Sequence, residues 1–312
     1  MVITVTLNPT IDRILQVPGF RVGLHARATL LGLSPNGKAN NVARGIARLG
    51  GEARAYGFVG IHQSSVFTRS LEAEGVRTDF CTIDGETRTS TTILDPVGRT
   101  NTHLREGGFT VGPADVKELT AKLTDTLRPR REPTTTVFAG SLPPGMDGAQ
   151  LGDLLKACER DGARILLDLN GPDLRAAIDT GVVDTFTPNL EELGEALGHT
   201  VPRLQALEAA EELLDRVKTV LLKLGAEGSY LFRRDERLGF QCPLEPTELR
   251  NTVGCGDAFL AGWVRADKLT DDPAEALKWA VAAGAAAAMD DMTVGYSLEE
   301  VEALLPRCRA VG

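Results

Sequence analysis

Short apolar runs and longer amphipathic stretches take turns along most of this chain. Val2 to Leu7 reads as a buried strand. Asn40 to Leu49 carries a helical period stopped by Gly50-Gly51. Ala53 to Val59 reads as a strand, and Val66 to Glu74 as a helix ending at Gly75. Between about Arg13 and Leu33 there is no helical period, and Pro18, Gly19 and Gly23 interrupt the segment. Arg88 to Leu94 and Arg99 to Arg105 are Thr-rich strands joined by Asp95-Pro-Val-Gly98, a hairpin signal. From Pro113 onward the alternation is regular. Helices are expected at 113–127, 147–160, 172–179, in pieces across 189–216, and at 257–268, 273–289 and 298–305. Strands are expected at 136–139, 164–169, 184–187, 219–224, 228–233 and 238–242. Strands alternating with helices predict an α/β fold with a mostly parallel sheet covered on both faces. The Thr-rich hairpin and the segment before Asn36 do not alternate with helices. They predict a small β flap on the edge of the main sheet, from about 10–35 and 86–106. No repeat or linker divides the chain, so 1–312 reads as one domain with an excursion.

Composition narrows the class. The chain has 312 residues, 42% hydrophobic and 25% charged, the make-up of a soluble globular protein long enough for one large α/β domain or for a large domain plus a small one. A net charge of −9 argues against a general nucleic-acid or anionic-membrane binder, while leaving room for a local basic pocket. Cys81, Cys158, Cys242, Cys255 and Cys308 are odd in number and form no CxxC pair. A disulfide framework or zinc site is therefore not expected, and a reducing cytoplasm fits. The N-terminus opens as a strand with no signal-peptide pattern. The longest apolar run, Ala280 to Met289, is too short to cross a bilayer.

Candidate chemistry centres on Asn251-Thr-Val-Gly-Cys-Gly-Asp257-Ala-Phe259. Its glycines let several amides converge, and the helix that follows adds free N–H groups and partial positive charge, which suits an anion. A carboxylate beside an anion site makes chemical sense if Asp257 takes a proton from a nucleophile attacking that anion. The plain alternative is an N-cap aspartate after a glycine turn. Gly32-Leu-Ser-Pro-Asn-Gly37-Lys38-Ala39 nearly matches a phosphate-cradling GxxxxGK[ST] loop, but Ala39 lacks the hydroxyl and no strand precedes the segment. A glycine loop capping the helix that begins near Asn40 accounts for it better. Gly254-x-Gly256 is not a dinucleotide fingerprint, because Phe259 holds the third glycine position and the turn lies late in the chain.

Together these pieces resemble the ribokinase-like (PfkB) family of sugar kinases over essentially the whole chain, and within it the 1-phosphofructokinase and tagatose-6-phosphate kinase branch. Thr6-Leu-Asn-Pro-Thr-Ile-Asp12 looks like its opening strand and turn. Asn36-Gly-Lys-Ala-Asn-Asn41-Val-Ala-Arg44 looks like its sugar loop, and Gly140-Ser-Leu-Pro-Pro-Gly145 like its mid-chain loop. Pro188-Asn189-Leu-Glu-Glu192 matches its Asn/Glu segment, Leu224-Gly225-Ala-Glu-Gly228 a nucleotide loop, and the Gly254 stretch its signature. Four positions depart from the pattern. Asn36 and Ala39 stand where glycines are usual, Thr187 where a lysine is common, and Cys255 where Ala or Ser is usual.

The resemblance implies a ribokinase-like three-layer sandwich with a small β-sheet lid, and transfer of a phosphoryl group from ATP, with Mg²⁺, to a sugar hydroxyl. It makes Asp257 the general base and the amides of Val253, Gly254, Cys255 and Gly256 the anion hole. Asp12, Gly37, Asn41 and Ser141 would touch the sugar. Arg27 with His25, and Arg88, would take a phosphate the substrate already carries, with Lys38 as a further cation. Asn189 and Glu192 would hold Mg²⁺ through water, helix capping being the plain alternative, and Lys223, Gly225 and Gly228 would border the nucleotide. Fructose 1-phosphate, giving fructose 1,6-bisphosphate, is the expected reaction, with tagatose 6-phosphate and fructose 6-phosphate as alternatives. A non-catalytic sugar-phosphate sensor on the same fold is the alternative of another class, and the intact Asp257 turn speaks against it. Exposed flap strands often pair between subunits, so a homodimer through the lid is also expected.

Overall fold

A computed structural model describes residues 1–312. The first third runs β1 (Val2–Thr6), β2 (Thr10–Gln16), β3 (Thr29–Asn36), α1 (Lys38–Arg48), β4 (Ala53–Gly60), α2 (Ser64–Ala73), β5 (Arg77–Ile83), β6 (Thr89–Asp95) and β7 (Thr100–Arg105). The middle alternates as α3 (Pro113–Leu127), β8 (Thr134–Gly140), α4 (Gly148–Arg160), β9 (Ala163–Leu169), α5 (Leu174–Ile178), β10 (Val183–Phe186), α6 (Leu190–Leu197), α7 (Ala206–Glu212) and β11 (Thr219–Lys223). The chain closes with β12 (Ser229–Arg233), β13 (Glu236–Gln241), α8 (Cys255–Ala266), α9 (Pro273–Ala288), α10 (Leu298–Leu304) and β14 (Arg309–Ala310).

Ten strands form one sheet in the order β14-β13-β12-β11-β10-β9-β8-β1-β4-β5. From β5 to β11 every neighbouring pair is parallel, and β11 to β14 pair antiparallel. The strands alternate between two cores, as the two-residue period of a strand requires. Ile3, Val5, Phe138, Val220 and Leu222 face the side covered by α3 to α7. Val2, Val137, Ala139 and Leu221 face the side of α1, α2, α8 and α9. The result is three layers. Several helix starts follow from local chemistry: Asp147 and Gln150, Asn189 and Glu192, and Ser297 and Glu300 each form reciprocal capping pairs.

After β1 the winding goes out to β4 and β5, then resumes on the other side of β1 at β8. The direction therefore reverses between β1 and β8, and the crevice at such a reversal is where open α/β sheets seat ligands.

The structure departs from the sequence expectations in four places. The flap is a separate sheet, ordered β3-β2-β6-β7, and not an edge of the main one. Gly32 to Asn36, which resembled a phosphate loop, is part of the strand β3, and α1 starts at Lys38. β5 was not anticipated: Arg77-Thr-Asp-Phe-Cys-Thr-Ile83 is mostly polar because it is an edge strand, with Cys81 and Ile83 alone fully buried. β14 was not anticipated either, being only two residues long. No helix is long and apolar enough to cross a membrane.

Candidate active site

The crevice at the β1/β8 reversal is bridged directly. The Asn8 side chain donates to the Leu142 carbonyl at 3.0 Å and to Ser141 Oγ at 3.3 Å, joining the loops after β1 and β8. Four residues on, Asp12 lies on the small sheet. Cross-strand register places Asp12, Ser34, Ser90 and Arg105 on one face. Arg88 is half-buried and donates to the Pro9 and Asn8 carbonyls at 3.3 and 3.1 Å. Burial lowers its pKa, as does the neighbouring Arg105 charge. Asp12 Oδ2 accepts from Asn36 Nδ2 at 2.6 Å, and Asn36 Oδ1 accepts from Arg44 Nη1 at 3.0 Å. Arg44 is buried on α1 and reaches Ser70 Oγ on α2 at 2.9 Å and Glu74, which caps the end of α2, at 3.0 Å. Asn36 thus links the Asp12 carboxylate to the main domain.

Two helix N-termini converge opposite. Gly37 caps α1 at φ 148°, and an added Cβ would stand 2.6 Å from Thr6 Cγ2, so only glycine lets the chain enter the helix here. Gly254 caps α8 at φ 87°, with Thr293 O 2.6 Å from where a Cβ would be. The amides of Gly254 to Asp257 lead into or begin that helix and have no intrahelical acceptor. The Val253 amide does not join them, because it donates to Asn251 Oδ1 at 2.9 Å. The anion hole expected from the sequence is therefore shortened by one residue.

Asp257 is 7% exposed and accepts from Asn41 Nδ2 at 2.9 Å. Burial pushes its carboxyl up to about 7; the Asn41 hydrogen bond and the Lys38 and Lys223 charges oppose the shift, and the Asp168 charge adds to it. Asn41 Oδ1 is buried without a partner, an acceptor available to a ligand hydroxyl. Cys255 carries an ordinary thiol, raised to about 11 by burial, with its Sγ on the Asn251 carbonyl.

Below this turn lies a buried charge cluster. Asp168, at the end of β9, accepts from Lys223 Nζ at 2.6 Å and from Thr187 Oγ1 at 3.0 Å, with Lys38 Nζ at 3.7 Å. Lys38 also reaches Glu192 Oε1 at 3.0 Å, and Lys223 lies 4.0 Å from Glu192 Oε2. Burial alone would lower the Lys38 pKa, but Asp168 and Glu192 outweigh it and hold the ammonium charged. A side chain added at Gly256 would meet the Lys223 ammonium at 3.7 Å, so this cation lies against the glycine turn. Thr187, where the resembling family often has lysine, supplies a hydroxyl, and Lys223 supplies the charge.

The structure brings together Asp12, Gly37, Lys38, Asn41, Ser141, Asn189, Glu192, Lys223, Gly254, Cys255, Gly256 and Asp257 around these strand and helix ends. Lys38 sits in the carboxylate cluster and not with the arginines. Asn189 needs correction as a metal ligand: its Oδ1 already accepts from the Glu191 and Glu192 amides at 2.8 and 2.9 Å. It holds Glu192, whose oxygens each keep a lone pair beyond Lys38 and the Asn189 amide. Gly225 is exposed and Gly228 buried, both with left-handed backbone, in the turn after β11. His25 and Arg27 are exposed between β2 and β3 and make no hydrogen bond or ion pair. The sequence reading missed Asp168, Arg44 and Arg105. For Asp168 a signal existed: a single acid in the apolar run Ile165 to Leu169.

A buried base of raised pKa, set beside free helix-start amides and a lysine-rich floor at a sheet reversal, is the equipment of a phosphoryl-transfer enzyme. Residues 3–294 match the pfkB family carbohydrate kinase profile, and the chain belongs to that family. It is a carbohydrate kinase, with an alcohol group as phosphoryl acceptor. It is 34% identical over 282 residues to a 1-phosphofructokinase of Rhodobacter capsulatus, covering 89% of this chain and 87% of the relative. It is 26% identical to a tagatose-6-phosphate kinase of Staphylococcus epidermidis, covering 100% and 99%. The crystal structure of phosphofructokinase-2 from Escherichia coli in complex with potassium superimposes with a TM-score of 0.89 at 24% identity, covering 98% of each chain. The ribokinase-like fold expected from the sequence is the observed one.

Proposed function

We propose that this kinase phosphorylates fructose 1-phosphate from ATP, giving fructose 1,6-bisphosphate and ADP. The observation that carries the chemistry is Asp257, buried with a carboxyl raised to about 7 at the start of α8. Ionised, it accepts the proton of the attacking sugar hydroxyl as that oxygen bonds to the γ-phosphorus. Asn41 orients the carboxylate. The amides of Gly254 to Gly256 stabilise charge on the transferring phosphoryl oxygens, with the Lys223 ammonium beside them. Asp12 holds sugar hydroxyls with its remaining lone pairs. Arg88 and Arg105, on the Asp12 side of the small sheet, take the phosphate already on the sugar, and Arg27 and His25 add to it when the small sheet closes as a lid over the crevice.

Glu192 suits Mg²⁺ held through water, since a carboxylate already matched by Lys38 has oxygen lone pairs to offer but no full charge to neutralise a bare ion. Bound there, the ion would offset phosphate charge on the nucleotide.

Tagatose 6-phosphate is the second reading, supported by a tagatose-6-phosphate kinase among the relatives that match nearly end to end. ADP release measured with Mg·ATP against fructose 1-phosphate, fructose 6-phosphate, tagatose 6-phosphate, fructose and ribose separates these. Turnover of fructose 1-phosphate that is lost in Asp257→Asn is expected. Turnover of an unphosphorylated sugar alone would overturn the roles of the arginines, and binding without turnover would favour a sensor.

A further inference from the structure

The fold brings two of the five scattered cysteines face to face, outside the cluster around Asp257. β13 and β14 pair antiparallel with Phe240 opposite Ala310 and Gln241 opposite Arg309. One step further on the same register sets Cys242 opposite Cys308, whose backbone is extended at φ −66°, ψ 127°. The Val311 amide bonds the Gly239 carbonyl at 2.9 Å, so that pair is of the hydrogen-bonded kind. Alternation then makes 242/308 a non-hydrogen-bonded pair, in which Cα atoms approach to about 4.5 Å and side chains come closest. A disulfide spans Cα separations of about 4.4–6.8 Å. Both thiols point to one acceptor, the Leu304 carbonyl, at 3.9 Å from Cys242 and 3.7 Å from Cys308. The neighbouring Cys308 thiol holds the Cys242 pKa below the usual thiol value. Both residues are half-buried, so a small reagent can reach them.

What they flank gives the pair a consequence. Cys242 opens the segment 243–253 that feeds the Gly254 turn. Arg307, next to Cys308, clamps that segment, donating to both Glu248 carboxylate oxygens at 2.8 Å and to the Pro243 carbonyl at 2.8 Å. A covalent link at 242–308 would fix the root of the segment that leads into the anion-hole amides.

We propose that Cys242 and Cys308 are a redox-responsive dithiol, closed to an intramolecular disulfide by exchange with a small-molecule disulfide. One cysteine thiolate attacks a sulfur of the reagent and expels one small thiol. The second thiolate then attacks the mixed disulfide at the protein sulfur and expels the other. The pair gives up two protons and two electrons, and the reagent leaves as two thiols.

The test treats the native full-length protein with oxidised glutathione, then maps peptides and measures intact mass, melting temperature and the KM for ATP. Expected are a single 242–308 cross-link, loss of two hydrogens in mass, a melting temperature raised by several degrees and an ATP KM shifted about twofold or more. Dithiothreitol should reverse all four, and Cys242→Ser and Cys308→Ser should abolish them while keeping the reduced activity of the wild type. A lasting glutathione adduct, pairing with another cysteine, or a cross-link that moves neither melting nor KM would overturn the proposal. Only the KM readout rests on the kinase reading; the mass and melting readouts stand apart from any choice of substrate.

Discussion

Asp257 shows how a single side chain trades stability for chemistry. Its folded pKa of about 7 lies above the usual value near 3.9 in an unfolded chain. The folded state therefore holds the proton more tightly, and stability is lost as pH rises from about 4 through 7. Asp257→Asn should raise the melting temperature at alkaline pH and leave it nearly unchanged at about pH 4, with an upper bound on the order of 4 kcal/mol at full ionisation. The same variant should lower kcat by roughly 10²–10⁴-fold. In the wild type, kcat/KM should fall as pH drops below about 7, since only the ionised carboxylate accepts the proton. A flat acid limb would remove Asp257 as the base. Asn36 invites a second substitution, because it stands where the resembling family has glycine and here bridges Asp12 to Arg44. Asn36→Gly should raise the KM for sugar phosphate about fivefold, the loss of one net hydrogen bond, and leave the KM for ATP unchanged. Equal loss in both would mark a general structural role.

At the scale of elements, the site is made of ends. Asn8 follows β1, Ser141 follows β8, Asp168 is next to last in β9, Lys223 ends β11, and the amides of Gly254 to Asp257 open α8, with Asp12 alone drawn from within a strand. Each end is usable only if the chain turns sharply there. Gly254 at φ 87°, packed on Thr293, is the tightest case. Gly254→Ala should lower stability by about 1–3 kcal/mol and cut kcat more than it raises either KM, because it displaces amides whose contact to the phosphoryl group counts most as charge develops in the transition state. Thermal melts and steady-state kinetics on the one variant check both. The glycine pattern, the caps and most helix and strand positions were readable from local sequence, since propensity, period and turn chemistry act over a few residues. The Val253 amide is the exception within the turn: Asn251 captures it at 2.9 Å through an Asx turn and so keeps it from a bound anion.

For the molecule as a whole, the small sheet has two unlike faces. Asp12, Ser34, Ser90 and Arg105 share one, and Leu33 and Leu104 lie on the other, 61% and 52% exposed. Arg13 and Thr91 lie between those leucines in the cross-strand register, and we propose that this partly apolar face pairs with a second copy of the chain. Leu33→Asp should convert a dimer to a monomer in light scattering, and a wild type already monomeric at working concentration would refute the lid-mediated dimer. The sequence by itself determined the layered α/β architecture, the small sheet's two segments and the positions of the glycine turns, because these follow from periodicity and from backbone constraints local to each residue. Tertiary structure alone decided that Asp168, Lys223, Lys38 and Glu192 share one buried cluster, that Asn36 ties Asp12 to Arg44, and that Cys242 meets Cys308. Each of those contacts joins residues on different elements, and cross-strand register and helix packing bring them together through interactions that no local period encodes.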